Sequence, residues 1–157
     1  MYQSFMRPVL VQFAKQVQEM TWSRAEEPGV VLSPIGGVVV KSDADIEEVS
    51  KALQTELRAE IISAPKTTSE AERRFAFTTA GGKNVILILD GMPTDELLGM
   101  LRQISDFNDI SDLTATKRKR LHPKSRVFVV FPQWVWKSQG DFPFIDLFSS
   151  VCRLDLA

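Results

Sequence analysis

A chain of 157 residues is long enough to bury a sizeable core within one domain. Hydrophobic residues make up 44% and charged residues 25%, which excludes a disordered or low-complexity chain. The net charge of −1 excludes a whole-protein field that draws the chain to nucleic acid or acidic lipid. Any such attraction must come from a local patch. The single cysteine, Cys152, excludes an internal disulfide and a Cys-rich zinc site, and fits a reducing cytosol. No apolar run approaches the roughly 20 residues of a membrane helix, and the N-terminal apolar residues are spaced rather than contiguous, unlike a signal peptide. The expectation is a cytoplasmic protein with no membrane partner, no metal and no cofactor.

Phe5, Met6, Val9, Leu10, Phe13, Val17 and Met20 recur at three- and four-residue spacing and predict an amphipathic helix over 2–20. Pro8 fits its first turn. Such a helix packs on a core or docks on a partner. Residues 22–28 read as a polar connection. Val30–Leu32 and Val38–Val40 read as short strands, with Pro34, Ile35, Gly36 and Gly37 as a turn. They form one hairpin, or only one of them joins the main sheet.

Ser42 or Asp43 caps a helix over 43–59, with Asp43, Asp45, Glu47 and Glu48 complementing its dipole. Ile46, Val49, Leu53 and Leu57 form its apolar face. A short strand follows at 60–63, closed by Pro65. Within the polar stretch 67–83, residues 70–77 fit a short helix.

Val85–Leu89 is apolar without alternation, as in a strand buried on both faces. Asp90 and Gly91 end it, and an Asp at the carboxyl end of such a strand sits where open α/β sheets place a ligand crevice. Thr94 caps a helix with Asp95 and Glu96 in its first turn, running to about Phe107. Residues 108–125 read as a long polar connection. Arg126–Phe131 is a second buried strand, ended by Pro132. Phe142–Phe148 reads as a short helix, and 151–156 alternates like an edge strand.

Strands thus alternate with helices, which argues for an α/β three-layer sandwich with a central, mostly parallel sheet flanked by helices. The expected division is an N-terminal helix and connection, 1–28, joined to an α/β domain, 29–157, as one folding unit.

The order of elements, the helix and strand from Val49 to Ser63, and the run Ile86-Leu87-Ile88-Leu89-Asp90 resemble the core of the AAA-type ATPases among the P-loop NTPases. The apolar run plus Asp is similar to a Walker B strand. The resemblance implies a nucleotide crevice near Lys41, Ser42 and Asp90. The departures are specific. Gly36, Gly37, Lys41 and Ser42 precede a helix, but Val40 stands where a phosphate loop needs glycine before its lysine. Gly91 stands where the family carries its catalytic Glu. Gln133 is the nearest candidate for a sensor and follows Pro132. The resemblance is therefore to a degenerate member without intact Walker residues, and no catalytic residue is assigned.

Lys117, Arg118, Lys119, Arg120, Lys124 and Arg126, with the only histidine, His122, form a cationic run. Such a run contacts phosphates or is a solvated loop. Asp106, Asp109 and Asp112 lie upstream and partly offset it. Phe5, Phe13, Trp134 and Trp136 are candidates for a partner surface, against the plainer reading of core packing. Cys152 reads as a small core residue. The leading expectation is a non-catalytic interaction or regulatory module that docks on a larger assembly, such as one that processes nucleic acid. The alternatives are a nucleic-acid-binding protein acting through 117–126 and an enzyme with a carboxylate site around Asp90.

Overall fold

The structure, a computed structural model, describes residues 6–19, 33–64, 83–89, 91–107, 109–111, 118–120, 124–138 and 145–156. Its elements are helix α1 (Met6–Glu19), strand β1 (Ile35–Val40), helix α2 (Asp43–Leu57), strands β2 (Glu60–Ala64) and β3 (Val85–Leu89), helix α3 (Asp95–Phe107), strands β4 (Asp109–Ser111), β5 (Arg118–Arg120) and β6 (Val127–Pro132), helix α4 (Gln133–Lys137) and strand β7 (Ser150–Arg153). Single 3-10 turns at Ile145–Leu147 and Leu154–Leu156 flank β7. Among these helices, none is long and apolar enough to cross a membrane.

Five strands form one all-parallel sheet in the order β2-β3-β6-β1-β7. β6 lies at its centre. Val127–Phe131 is fully buried, as an unbroken β-branched and aromatic run requires when both faces are covered. One face carries Val38, Val40, Ile86, Phe128 and Val130 and packs against α1 and α2 through Leu10, Phe13, Val17, Val49 and Leu53. The other carries Ile35, Val39, Leu87, Val129 and Phe131 and packs against α3, α4 and the 145–147 turn through Leu97, Met100, Leu101, Val135 and Leu147. Each fully buried aliphatic or aromatic side chain contributes about 1.5–3 kcal/mol by leaving water. The three-layer α/β architecture read from the sequence is the one observed.

The helices begin and end for local reasons. Pro8 sits in the first turn of α1, where its missing N–H costs nothing. At α3, the Leu97 amide donates to Thr94 Oγ1 at 3.2 Å, so Thr94 caps the helix as its side chain predicts. α2 closes at Arg58, which takes a left-handed φ of 50°.

Several sequence expectations need correction. Ile35, Gly36 and Gly37 do not turn; they are the first half of β1. The glycines let side chains rest on the strand itself. A Cβ at Gly36 would lie 3.1 Å from Val17 and 3.2 Å from Phe13, and one at Gly37 would lie 3.2 Å from the Phe148 ring. β1 has parallel neighbours on both sides, β6 and β7, so Val38–Val40 is not half of a hairpin in this sheet; Val30–Leu32 lies outside the described residues. The connection after α3 is not wholly irregular, because β4 and β5 pair there as a two-stranded antiparallel ribbon separate from the main sheet. Pro132 ends β6 from within rather than after it, at the junction with α4. The last strand stops at Arg153, and 154–156 is a 3-10 turn. The helix suggested at 70–77 lies outside the described residues.

Candidate functional site

β1 and β6 lie side by side, yet the chain leaves them toward opposite faces, through α2 and α4. Open α/β sheets hold their ligands in the crevice at such a switch point, at the carboxyl ends of the strands. This crevice is tightly connected. Only Lys41 and Ser42 separate Val40, the last residue of β1, from Asp43, the first of α2. Both are exposed. The Ser42 side chain bonds no backbone amide of the helix; its Oγ donates to Asp45 Oδ2 at 3.3 Å. Across the crevice, the indole Nε1–H of Trp134 donates to Asp43 Oδ1 at 3.2 Å. That bond ties the start of α2 to the start of α4.

A second cluster joins the ends of β6 and β7. Asp155 accepts from Arg153 through two bonds of 2.8 Å, a bidentate charge-assisted pair. It also accepts from Gln133 Nε2 at 3.0 Å. The paired guanidinium holds the Asp155 carboxyl below the ordinary carboxylate range, and burial opposes this in part. The pairing also raises the Arg153 pKa. Arg153 lies over the Trp136 ring, 5.0 Å from its centroid. Trp136 stacks on Phe131 at 5.9 Å, and Phe131 stacks on Phe148 at 5.8 Å. A column of three rings thus runs out of the core and ends under a cation.

The sequence candidates separate into distinct places. Lys41, Ser42, Trp134 and Trp136 come together at this carboxyl edge, Trp134 exposed and Trp136 half-buried. Phe13 does not form a partner surface: it is 6% exposed and packs edge-on against Phe128, with centroids 6.3 Å apart. Arg126 leaves the cationic run. It is 4% exposed at the opposite, amino end of the sheet, and its guanidinium donates to the carbonyls of Val17 (3.0 Å), Gln18 (3.3 Å) and Ser125 (3.0 Å). Burial draws its pKa down. Arg118, Lys119 and Arg120 form β5, paired with Ser111, Ile110 and Asp109 respectively. Lys124 is exposed beyond them. Phe5, Asp90, Lys117 and His122 lie outside the described residues. Cys152 is buried, which pushes its thiol up to about 11 and leaves it a core group.

Asp43, Arg153 and Asp155 carry this site without having been singled out for it. Asp43 bonds a residue 91 positions away and Asp155 one 22 positions away, separations that periodicity cannot report. The one local signal was the Arg-x-Asp spacing at 153–155.

No family model and no curated protein matches the chain. Solved structures do. The chain is similar to NtrX from Brucella abortus in complex with ATP, at 16% identity and a TM-score of 0.58, over 98% of this chain and 36% of that one. A second NtrX structure matches at 13% identity with a TM-score of 0.58, and one in complex with ADP at 12% with 0.57. The chain thus spans little more than a third of NtrX. At these identities the likeness carries the fold alone, an α/β sheet flanked by helices.

Proposed function

We propose that this chain is a non-catalytic interaction or regulatory module that docks on a larger assembly. The observation that carries the reading is the junction between β1 and α2. A phosphate cradle needs a run of free backbone amides, supplied by glycines in a loop. Here β1 stays in register with β6 as far as Val40, and after only two intervening residues an acidic helix start begins. A phosphate brought there meets the exposed carboxylate of Asp43, which already holds Trp134. The likeness to NtrX, a protein solved with ATP and with ADP, makes nucleotide the right challenge. Calorimetry with ATP or ADP and Mg²⁺ on the full chain is expected to show no binding at millimolar nucleotide. Tight binding, or ATP hydrolysis lost in Asp90→Ala, overturns the reading.

A second reading is favoured by the ribbon. Arg118, Lys119 and Arg120 occupy one strand of a two-stranded element outside the main sheet, and such ribbons fit the major groove of duplex DNA. In backbone register Asp109 stands opposite Arg120. On this reading duplex binding falls steeply with salt, and replacing Lys117, Arg118, Lys119 and Arg120 by Gln flattens the slope. Binding that survives the replacement removes the ribbon from consideration.

A further inference from the structure

We infer that the carboxyl edge of the sheet is a docking surface for a basic, amphipathic protein segment. The inference rests on the module reading above and names its surface and its partner's chemistry. Among the described residues, the exposed large hydrophobic side chains are Val9, Met92, Trp134 and Leu156. Three of these four share one edge. Met92 follows β3, Trp134 follows β6, and Leu156 follows β7, each within three residues of its strand's end. With strands roughly 4.8 Å apart, the row from β3 to β7 spans about 14 Å. Singly scattered apolar residues need no explanation, but a row along one functional edge does. Trp134 at 44% exposure is the anchor type that dominates interfaces.

The charges beside the row select the partner. α2 and α3 both start at this edge, and Asp43, Asp95 and Glu96 in their first turns are exposed. Among the described residues, Lys41 is an exposed base between the strand ends, Lys137 lies at the far end of α4, and Arg153 is taken up by Asp155. A segment that sets Lys or Arg beside an aromatic or long aliphatic residue therefore matches both the row and its rim. An acidic peptide or a nucleic-acid backbone meets carboxylates.

The test is selection of short peptides from a random display library on the immobilised full chain, with rescreening on the Met92→Ser/Trp134→Ser/Leu156→Ser variant. These positions are exposed, so the variant keeps its fold, which circular dichroism verifies. Enriched peptides are expected to combine apolar anchors with Lys or Arg, to bind the variant about 30-fold more weakly, and to weaken with salt. Asp95→Lys/Glu96→Lys should weaken the basic peptides as well. Enriched peptides that bind the triple variant as tightly as wild type put the docking elsewhere; they overturn this surface and leave the module reading standing. Neutral or acidic winners overturn the partner's chemistry. Displacement of the peptides by duplex DNA reassigns the edge to nucleic acid. A library with no enriched peptide overturns both the surface and the reading beneath it.

Discussion

The two ends of the sheet use their polar side chains differently. At the amino end they are turned on the backbone: Arg126 satisfies the carbonyls of Val17 and Gln18 at the end of α1, and Asn84 Nδ2 donates to Leu57 O at the end of α2, at 3.5 Å. At the carboxyl end Thr94 still serves the backbone as the cap of α3, but the others are turned on one another, Trp134 on Asp43, Ser42 on Asp45, and Gln133 and Arg153 on Asp155. The first arrangement satisfies groups that the fold itself creates, since every helix ends in unmet carbonyls. The second satisfies groups that other side chains introduced. A parallel sheet has one end where the strands begin and another where they release the chain to function. This molecule keeps backbone-satisfying groups at the first, and at the second sets exposed Lys41, Ser42, Asp43 and Trp134 beside a buried Asp155 pair.

The largest effect should come from the amino end. Arg126→Ala removes the donors from two helix-terminal carbonyls and leaves a space beneath α1. The expected loss is about 3 kcal/mol in urea unfolding. Arg126→Lys should recover only part of it, because an ammonium lacks the planar fork that reaches several carbonyls at once. A loss for Arg126→Ala comparable to an ordinary surface change would erase the contrast between the two ends.

The Asp155 cluster should come next. Its folded pKa is depressed by the Arg153 pair. The pair therefore stabilises the fold above the unfolded carboxylate value of about 3.9, and that stability is lost as pH falls through the lower folded pKa. Asp155→Asn should cost roughly 1–3 kcal/mol near neutrality and flatten the acid limb of the stability profile. An unchanged acid limb would show that the cluster is slack and that the end of β7 is held by Leu154 and Cys152 alone.

How much of this was legible in advance follows from the range of the forces involved. The buried strands at 85–89 and 127–131 and the helix at 43–57 announce themselves, because burial on both faces leaves an unbroken apolar run and burial of one helix face leaves a periodic one. Gly36 and Gly37 misled, since glycine is a turn signal by its backbone freedom, whereas here its missing Cβ lets Phe13, Val17 and Phe148 rest on β1. The cationic run misled in a related way. Charge in sequence does not say which member turns inward, and Arg126 stands one residue before a buried strand, beside the end of α1. Trp134 and Trp136 are two residues apart in one short helix, so they point apart; one joins a ring column and the other remains at the surface. Only the packing of Phe131 and Phe148 decides which is which.

The smallest expected effect sharpens the contrast most. Trp134→Phe keeps an aromatic ring and deletes the indole N–H that reaches Asp43. A hydrogen bond made at an exposed site replaces one to water, so the net cost should stay within about 0.5 kcal/mol by urea unfolding. The amide signals of Lys41 to Asp45 should shift nonetheless, since the bond is what links α2 to α4 across the crevice. A loss several times larger would make Trp134 a core residue whose exposed face is incidental, and the carboxyl end would then be as structural as the amino end. A silent α2 would mean instead that the two helix starts are placed by their strands, leaving Trp134 free to turn toward whatever docks there.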